Sequence, residues 1–242
     1  MAKVFFCGDP HGVFTHIIRA VEEYQPAAIV MLGDLECRRP LDLELTPILD
    51  KTRIYWIPGN HDTDSEENYD NLFESGLKGS NIEDRIIGVA GITMAGIGGV
   101  FREKIWDGST ESILSPKNYL KTCGAGNKWR GGLPLRHRST IFPTDVAALK
   151  GLQVDVLVTH EAPDDHPHGN VALTNVARNL KVKRAFHGHH HQFIQYPNSP
   201  WVGVSLRGIV SIDTATFEVS VIDLGCLLSK RIEHEFPGLA RK

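Results

Sequence analysis

The first sixty residues switch between two hydrophobic periods. Three short apolar runs, each closed by glycine or proline, predict buried strands over 3–7, 27–32 and 52–57. The stretches between them carry apolar residues at helical spacing and predict helices over 12–24 and 41–49, the second disturbed by Pro47. This alternation of strand and helix favours a parallel sheet that is covered by helices.

The pattern is less regular in the remainder of the chain. It predicts helices over 66–74, 144–150 and 172–180, strands over 82–90, 92–97, 154–159 and 183–186, and a final antiparallel meander over 192–196, 201–204, 209–212 and 217–224. Periodicity fades over 101–142, a segment in which lysine and arginine outnumber acidic residues. No linker or repeat divides the chain, so a single α/β domain spanning 1–242, with two sheets and flanking helices, fits the pattern best.

Composition narrows the class of protein. At 242 residues and 41% hydrophobic content, the chain can bury one sizeable α/β core. A formal charge of -3 predicts no strong attraction to nucleic acid or to an anionic membrane. The sequence contains no apolar run typical of a signal peptide or a spanning helix, so a cytoplasmic protein without membrane contact is expected. The four cysteines are too scattered for a disulfide framework or a cysteine zinc site.

Candidate metal ligands follow five strand-like runs, at the end where open α/β sheets place their ligand sites. The blocks are Asp9-Pro10-His11, Gly33-Asp34, Gly59-Asn60-His61-Asp62, His160 and Gly188-His189-His190-His191. Taken singly, an Asp-Pro or Gly-Asp pair is ordinary turn chemistry. A histidine triplet directly after an apolar strand is harder to explain as a solvated surface.

The ordered series D-x-H, G-D, G-N-H-D, H and G-H-x-H resembles the calcineurin-like metallophosphoesterase superfamily. All five blocks are present in order between Asp9 and His191, and the combination is specific although each block is common. The resemblance implies a β-sandwich of two mixed sheets with helices outside. It also implies two metal ions that share Asp34. The first ion would be held by Asp9, His11, Asp34 and His191, and the second by Asp34, Asn60, His160 and His189.

The ligand set favours particular metals and a particular reaction. Imidazole, carboxylate and amide ligands suit two ions of manganese, iron or zinc, whereas the missing thiolates disfavour copper(I) and iron–sulfur clusters. Two divalent ions balanced by Asp9, Asp34 and a bridging hydroxide leave a formal surplus of roughly +1, which would attract a phosphate. The predicted reaction is in-line attack of the hydroxide on a phosphoric ester. His61 would protonate or stabilise the leaving oxygen, and Asp62 would hold the His61 ring.

Substrate-binding candidates are Asn60, His61 and Arg38. Protein phosphatases of the superfamily carry an arginine in G-D-x-x-D-R-G at the place of Arg38, but Cys37 and Arg39 replace the neighbouring aspartate and glycine. The sequence is equally compatible with two roles for Arg38, a phosphate clamp and an ordinary surface arginine. The mismatch counts against a close protein phosphatase and no large cap domain is visible in the sequence, which together slightly favour a phosphodiester or small nucleotide as substrate. The alternatives are a protein serine/threonine phosphatase or another phosphomonoesterase, and, more remotely, a non-catalytic scaffold of the same fold.

Three further features bear on the substrate. The loop histidines His166 and His168 could line the cleft or be solvated. By strand alternation, His187 and His190 should face away from the ligand histidines and have structural roles. The basic segment over 101–142 could lie on the active-site side and attract a polyanion such as a nucleic-acid strand, although a solvated flap is the more ordinary interpretation. The expected partner is therefore a phosphorylated small molecule, a nucleotide or a phosphoprotein, with a nucleic acid as a weaker candidate.

Overall fold

The computed structural model describes residues 2–109 and 113–225 of the chain. Its helices and strands alternate through the first half and again around the last helix. In chain order the described elements are β1 (Lys3–Cys7), α1 (Thr15–Tyr24), β2 (Ala28–Met31), α2 (Leu41–Glu44), β3 (Arg53–Trp56), α3 (Glu66–Phe73), β4 (Ile86–Val89), β5 (Ile92–Ile97), α4 (Pro116–Thr122), α5 (Pro143–Ala148), β6 (Val156–Thr159), α6 (Val171–Leu180), β7 (Arg184–His187), β8 (Ile194–Gln195), β9 (Trp201–Gly203), β10 (Ile209–Asp213) and β11 (Val219–Asp223).

The strands form two mixed sheets. The first has the order β11-β10-β1-β2-β3, in which β1, β2 and β3 are parallel. Strand β10 pairs antiparallel with β1, and β11 pairs antiparallel with β10. The second has the order β4-β5-β6-β7-β9-β8, in which β5, β6, β7 and β9 are parallel and both outer strands are antiparallel. The predicted fold class, two mixed sheets flanked by helices in a single domain, is confirmed.

The two sheets pack face to face, and helices cover their outer faces. Phe6 of β1 stacks on Phe186 of β7 across the sandwich, with ring centroids 3.8 Å apart and planes at 9°. The neighbouring residue Phe5 points the other way, into a cluster with Ile17 and Val21 of α1. Because successive residues of a strand point to opposite faces, strands buried on both sides must be apolar throughout. This is why they read as continuous apolar runs in the sequence.

Two predicted helices begin or end elsewhere in the structure. Helix α1 begins at Thr15 and not at residue 12, because Gly12 has a φ of 69° in the turn that follows β1. Helix α2 stops at Glu44, and the chain continues as a 3-10 turn over Thr46–Ile48, which places Pro47 in the first turn, where its missing N–H is not needed.

The prediction of one antiparallel meander at the end of the chain is wrong. Strands β8 and β9 pair in the second sheet, where β9 also joins β7 in parallel, whereas β10 and β11 belong to the first sheet. The chain therefore crosses from one sheet to the other between Gly203 and Ile209. Alternation along a strand shows that one face is buried, but it does not show which sheet buries it.

The basic segment over 101–142 is anchored to the rest of the domain. Its described residues contain α4 and two 3-10 turns, and Arg130 donates to Asp70 of α3 through Nη1 and Nη2 at 2.6 and 2.8 Å. Arg138 Nη1 donates to the hydroxyl of Tyr69, also in α3, at 3.2 Å. Two of the basic side chains therefore fasten the segment to its neighbours, which agrees with an anchored flap.

The cysteines and the lengths of the helices bear on the predicted lack of disulfides and of a membrane span. Cys7 and Cys37 are buried free thiols, Cys123 is partly exposed, and Cys226 lies outside the described residues. Among the described helices, none has both the length and the apolar character needed to cross a bilayer.

Candidate metal centre

The predicted ligands stand at or just beyond the carboxyl ends of parallel strands, which bring together residues far apart in the chain. Asp9 and His11 follow β1, Asp34 follows β2, Asn60 follows β3, His160 follows β6, and His189 and His191 follow β7. In parallel sheets these ends lie on one edge, so the side chains converge where the two sheets meet.

The first ligand group consists of Asp9, His11, Asp34 and His191, each of which offers a ligand atom within 4.8 Å of the others. The Nε2 atoms of His11 and His191 are 3.2 Å apart. Two atoms bound to one ion at 2.0–2.1 Å are separated by roughly 2.9–3.4 Å for angles between 90° and the tetrahedral value. The spacing of the two imidazoles therefore suits a shared ion.

The second ligand group consists of Asp34, His160 and His189, again within 4.8 Å of one another. The Nε2 of His160 lies 3.4 Å from Asp34 Oδ2 and 3.1 Å from the amide oxygen of Asn60. Asp34 belongs to both groups. Four predicted ligands thus surround each of two adjoining positions.

Hydrogen bonds leave the correct ring nitrogens available for an ion. His11 Nδ1 donates to Glu36 Oε2 at 3.0 Å, and His160 Nδ1 donates to the carbonyl oxygen of Leu32 at 2.8 Å. In the neutral imidazole, the other nitrogen then carries a lone pair, which is Nε2 in both rings. Both Nε2 atoms face the ligand groups.

The buried carboxylates of the site would be stabilised by nearby positive charge. Burial raises the pKa of Asp9 to about 7, and its Oδ2 atom is buried without a hydrogen-bond donor. Burial alone would lower the pKa of His160, but the carboxylates of Asp34 and Asp9 outweigh burial and raise it to about 10. For Asp34, burial would raise the pKa, but His160 and the N–H of His61 hold it below its ordinary range. A pair of cations would satisfy these buried carboxylates, and the residues present therefore fit two divalent ions.

The backbone of the site is strained where the ligands stand. Asp9, His11 and Asp34 have φ values of 36°, 44° and 50°, and the two later ligands His189 and His191 have 67° and 58°. Left-handed backbone is costly for residues that carry a β-carbon, and it persists when the surrounding structure over-determines it. These strained turns after β1, β2 and β7 carry the ligands of the two adjoining groups.

Glycines make room for this convergence. A β-carbon at Gly33, which has a φ of 97°, would lie 2.4 Å from His160 Nδ1. A β-carbon at Gly59 would lie 2.2 Å from Asp34 Oδ1. The glycines of the G-D and G-N-H-D blocks are therefore needed for close packing around Asp34.

His61 stands beside the first ligand group, but its predicted partner was wrong. The His61 ring centroid is 5.7 Å from that of His11. Its Nδ1 donates to Asp64 Oδ2 at 2.6 Å and not to Asp62. The buried Asp62 carboxylate instead accepts the backbone N–H groups of Gly59 and Glu36, each at 2.8 Å. Asp62 faces inward because His61, Asp62 and Thr63 form a 3-10 turn, which points adjacent side chains in different directions.

Sequence reasoning missed two acidic residues near His61. Glu36 accepts the bond from His11 Nδ1, and its other oxygen lies 3.7 Å from His61 Nδ1. It has a φ of 44°, as strained as the ligands themselves. The available signals were an acid two positions after Asp34 and another, Asp64, one turn after His61.

Comparison with known proteins identifies the family. A family model described as calcineurin-like phosphoesterase matches residues 2–193. The chain belongs to the calcineurin-like phosphoesterase family. It is 38% identical to an uncharacterized protein of Haemophilus influenzae over 194 residues, which cover 80% of this chain and 85% of that protein.

Solved structures of the same fold agree with this assignment. The crystal structure of the protein TT1561 of Thermus thermophilus superposes with a TM-score of 0.59 at 13% identity and covers 92% of this chain and 99% of that one. The phosphopantetheinyl hydrolase PptH of Mycobacterium tuberculosis superposes with a TM-score of 0.50 at 16% identity and covers 85% of this chain and 89% of that one. At these identities the likeness concerns the fold. The family membership makes the protein a hydrolase of phosphoric esters.

Arg38 lies beside the turn that follows β1. It is exposed and packs over the turn after β1, so that a β-carbon at Gly12 would lie 3.2 Å from Arg38 Nε. The next residue, Arg39, turns away to Glu44 at 3.2 Å. Arg38 is thus close to Gly12, the residue after the predicted ligand His11, whereas Arg39 is paired with Glu44.

His187 and His190, both expected to be structural, differ in their surroundings. His187 is buried, its Nδ1 donates to the Gly188 carbonyl, and its Nε2 accepts from the Tyr196 hydroxyl at 2.9 Å. Burial lowers its pKa to about 3, so its predicted structural role agrees with the geometry. The prediction that His190 faces away from His189 is wrong, since their ring centroids are 4.8 Å apart. Strand β7 ends at His187, so strand alternation does not extend to these residues.

Proposed function

We propose that the protein is a dinuclear metal-dependent phosphoesterase that acts on a phosphodiester or a small nucleotide. The observation that supports this most directly is the convergence of all seven predicted ligands into two groups that share Asp34. The phosphorylated partner would be a small molecule, because Cys37 and Arg39 replace the aspartate and glycine of the protein phosphatase pattern.

The first ion would be held by Asp9, His11, Asp34 and His191, and the second by Asp34, Asn60, His160 and His189. The ligand chemistry suits manganese, iron or zinc. When bound, two such ions supply a water of lowered pKa and neutralise charge on the phosphate oxygens. Asp34 sits between the two groups, and its Oδ1 accepts the backbone N–H of His61 at 2.9 Å, which ties the metal centre to the acid catalyst.

His61 is proposed to protonate the leaving oxygen. Its Nδ1 is engaged by Asp64, so Nε2 is the ring nitrogen that remains for the substrate. Asn68 Nδ2 donates to the His61 carbonyl at 3.0 Å and holds the backbone of the turn. Asp62 supports the site as a buried acceptor for the loop backbone, a role different from the one expected from sequence.

Arg38 is proposed to bind a substrate phosphate oxygen from the rim. Among the described residues, its guanidinium makes no hydrogen bond or ion pair and is free to do so. Cys37 and Arg39 stand where the protein phosphatase pattern has aspartate and glycine, so the sequence around Arg38 differs from that pattern. A non-catalytic scaffold is disfavoured because every ligand position is filled and the backbone around the ligands is strained.

The test compares two ester classes on one preparation. The purified protein is loaded separately with manganese, iron and zinc, its bound metal is measured, and turnover is followed on para-nitrophenyl phosphate and on its bis-ester. We expect two ions per chain in the dinuclear centre and a higher kcat/KM for the bis-ester. Asp34→Asn should lose both ions and activity, whereas Arg38→Ala should keep the metals and raise KM. A preference for the monoester would establish the phosphatase alternative, and inertness with all three metals would refute an enzymatic function.

A further inference from the structure

A third group of metal-ligating side chains adjoins the two already described. Glu161, His189 and His190 each offer a ligand atom within 4.8 Å of the others. Glu161 follows His160 directly after β6, and the two histidines belong to the loop after β7. His189 is common to this group and to the second ligand group, whereas Glu161 and His190 belong to neither of the proposed ion positions.

The Nε2 of His190 is a buried atom without a hydrogen-bond partner. It lies 3.5 Å from Glu161 Oε1, too far for a well-formed hydrogen bond. The Glu161 side chain is only 10% exposed, and the same oxygen lies 3.9 Å from His189 Nε2. A buried carboxylate thus faces two imidazole nitrogens across gaps that direct hydrogen bonds do not close.

These gaps have the size of a coordinated cation. Ligand atoms held at about 2.1 Å and separated by 3.5 and 3.9 Å subtend angles of roughly 110° and 135° at the ion. Both angles are within the range of a distorted tetrahedral site. Two histidines and one glutamate are also a known zinc ligand set that leaves the fourth position open.

The surrounding structure fixes the orientation of the rings. His190 stacks on His166 with centroids 3.9 Å apart and planes at 19°. His166 is 4% exposed, and its Nδ1 accepts the backbone N–H of His168 at 3.2 Å. The left-handed φ of 67° at His189 and the bond from His190 N to the Gly188 carbonyl turn two consecutive rings toward Glu161. Packing and backbone therefore hold His190 where its orphan nitrogen faces the carboxylate.

We propose that Glu161, His189 and His190 form a third cation site, which binds zinc next to the dinuclear centre. The proposal rests on the proposed function only through His189, which would offer Nε2 to the third ion and Nδ1 to the second. Binding of the third ion then releases the remaining ring proton of His189 to solvent. The carboxylate, the His190 ring and the stacked His166 are independent of the dinuclear centre.

The experiment counts zinc ions per chain in the full-length protein. Apoprotein is saturated with zinc, unbound metal is removed, and bound zinc is measured by mass spectrometry together with a zinc titration. We expect three ions for wild type and two for Glu161→Gln and for His190→Gln. The matched control His168→Ala alters an exposed histidine of the same cluster and should retain three ions. Circular dichroism and a thermal melt establish that each variant is folded.

Asp34→Asn separates this proposal from the proposed function. Because Asp34 belongs to the first two groups only, this variant should lose two ions and keep the one that Glu161→Gln removes. If wild type bound a single ion that Glu161→Gln removed, the dinuclear centre would fail while the third site stood. A wild-type count of two at saturation, or a count of three in both Glu161→Gln and His190→Gln, would overturn the third site. A fall to one ion in Glu161→Gln would also overturn it, since the carboxylate would then be a support for the second ion.

Discussion

The pairing of His61 with Asp64 can be tested directly against the pairing with Asp62. In the structure, His61 Nδ1 donates to Asp64 Oδ2 at 2.6 Å, whereas the Asp62 carboxylate is buried and accepts two backbone N–H groups. Removal of the Asp64 carboxylate should therefore have a different consequence from removal of the Asp62 carboxylate. Asp64→Ala changes the orientation of the catalytic ring, and Asp62→Asn changes the loop that carries it.

The magnitudes follow from the environment of each group. A hydrogen bond to a charged partner contributes about 1.5–3 kcal/mol, but the Asp64 side chain is 53% exposed and solvent screens it toward the lower limit. A loss of about 1.4 kcal/mol in the transition state corresponds to a tenfold lower kcat. Asp62→Asn directs an amide N–H at a backbone N–H in a buried place and should lower the free energy of unfolding by about 1–3 kcal/mol.

The assay measures kcat on bis(para-nitrophenyl) phosphate, bound metal and the free energy of unfolding in urea for both variants. Asp64→Ala should lose about tenfold in kcat, with metal content and stability close to wild type. For Asp62→Asn, the main expected effect is the lower free energy of unfolding. His61→Ala is the reference and should lose about 10²–10⁴ in kcat with its metals retained. If Asp64→Ala kept full turnover while Asp62→Asn lost turnover at unchanged stability, the structural assignment would be refuted and the pairing with Asp62 restored.

Three further predictions concern the support of the site and the sandwich. Glu36→Gln weakens the acceptor of His11 Nδ1 at 3.0 Å, and we expect 10–100-fold weaker binding of the first ion in a metal titration; unchanged affinity would contradict this. Gly33→Ala places a β-carbon 2.4 Å from His160 Nδ1 and should cost more than about 1 kcal/mol in urea unfolding, whereas Gly88→Ala, whose β-carbon meets no atom within 4 Å, serves as the control. Burial, with Asp84 and Asp145 nearby, raises the pKa of Glu83 to about 8. Because this acid is harder to ionise in the folded state, stability should fall as the pH rises from about 5 through 8, and Glu83→Gln should flatten that fall; parallel pH profiles for the two proteins would argue against it.

The sequence alone determined much of the sandwich and supplied the candidate metal ligands as predictions. Strands such as β1 and β2 are buried on both faces, so their runs are apolar, and each run ends at a glycine, Gly8 and Gly33. Asp9, Asp34 and His160 were assigned as ligands through the resemblance of the five motif blocks to a known superfamily, and they can meet because parallel strands bring their carboxyl ends to one edge, whatever the length of chain between them. This part of the prediction depended on local pattern, on a rule of topology and on the resemblance to a known superfamily.

The tertiary structure alone decided which side chain serves which neighbour. Asp62 and Asp64 are both acids close to His61 in sequence, but a 3-10 turn directs Asp62 inward to backbone N–H groups and leaves Asp64 for the ring. His190 turned toward Glu161 because left-handed backbone replaced strand geometry after β7. Contacts with distant strands also decided that β8 and β9 join the second sheet, whereas β10 and β11 join the first. Side-chain direction after a strand ends is set by a few dihedral angles and by contacts with distant segments, and no local periodicity encodes either.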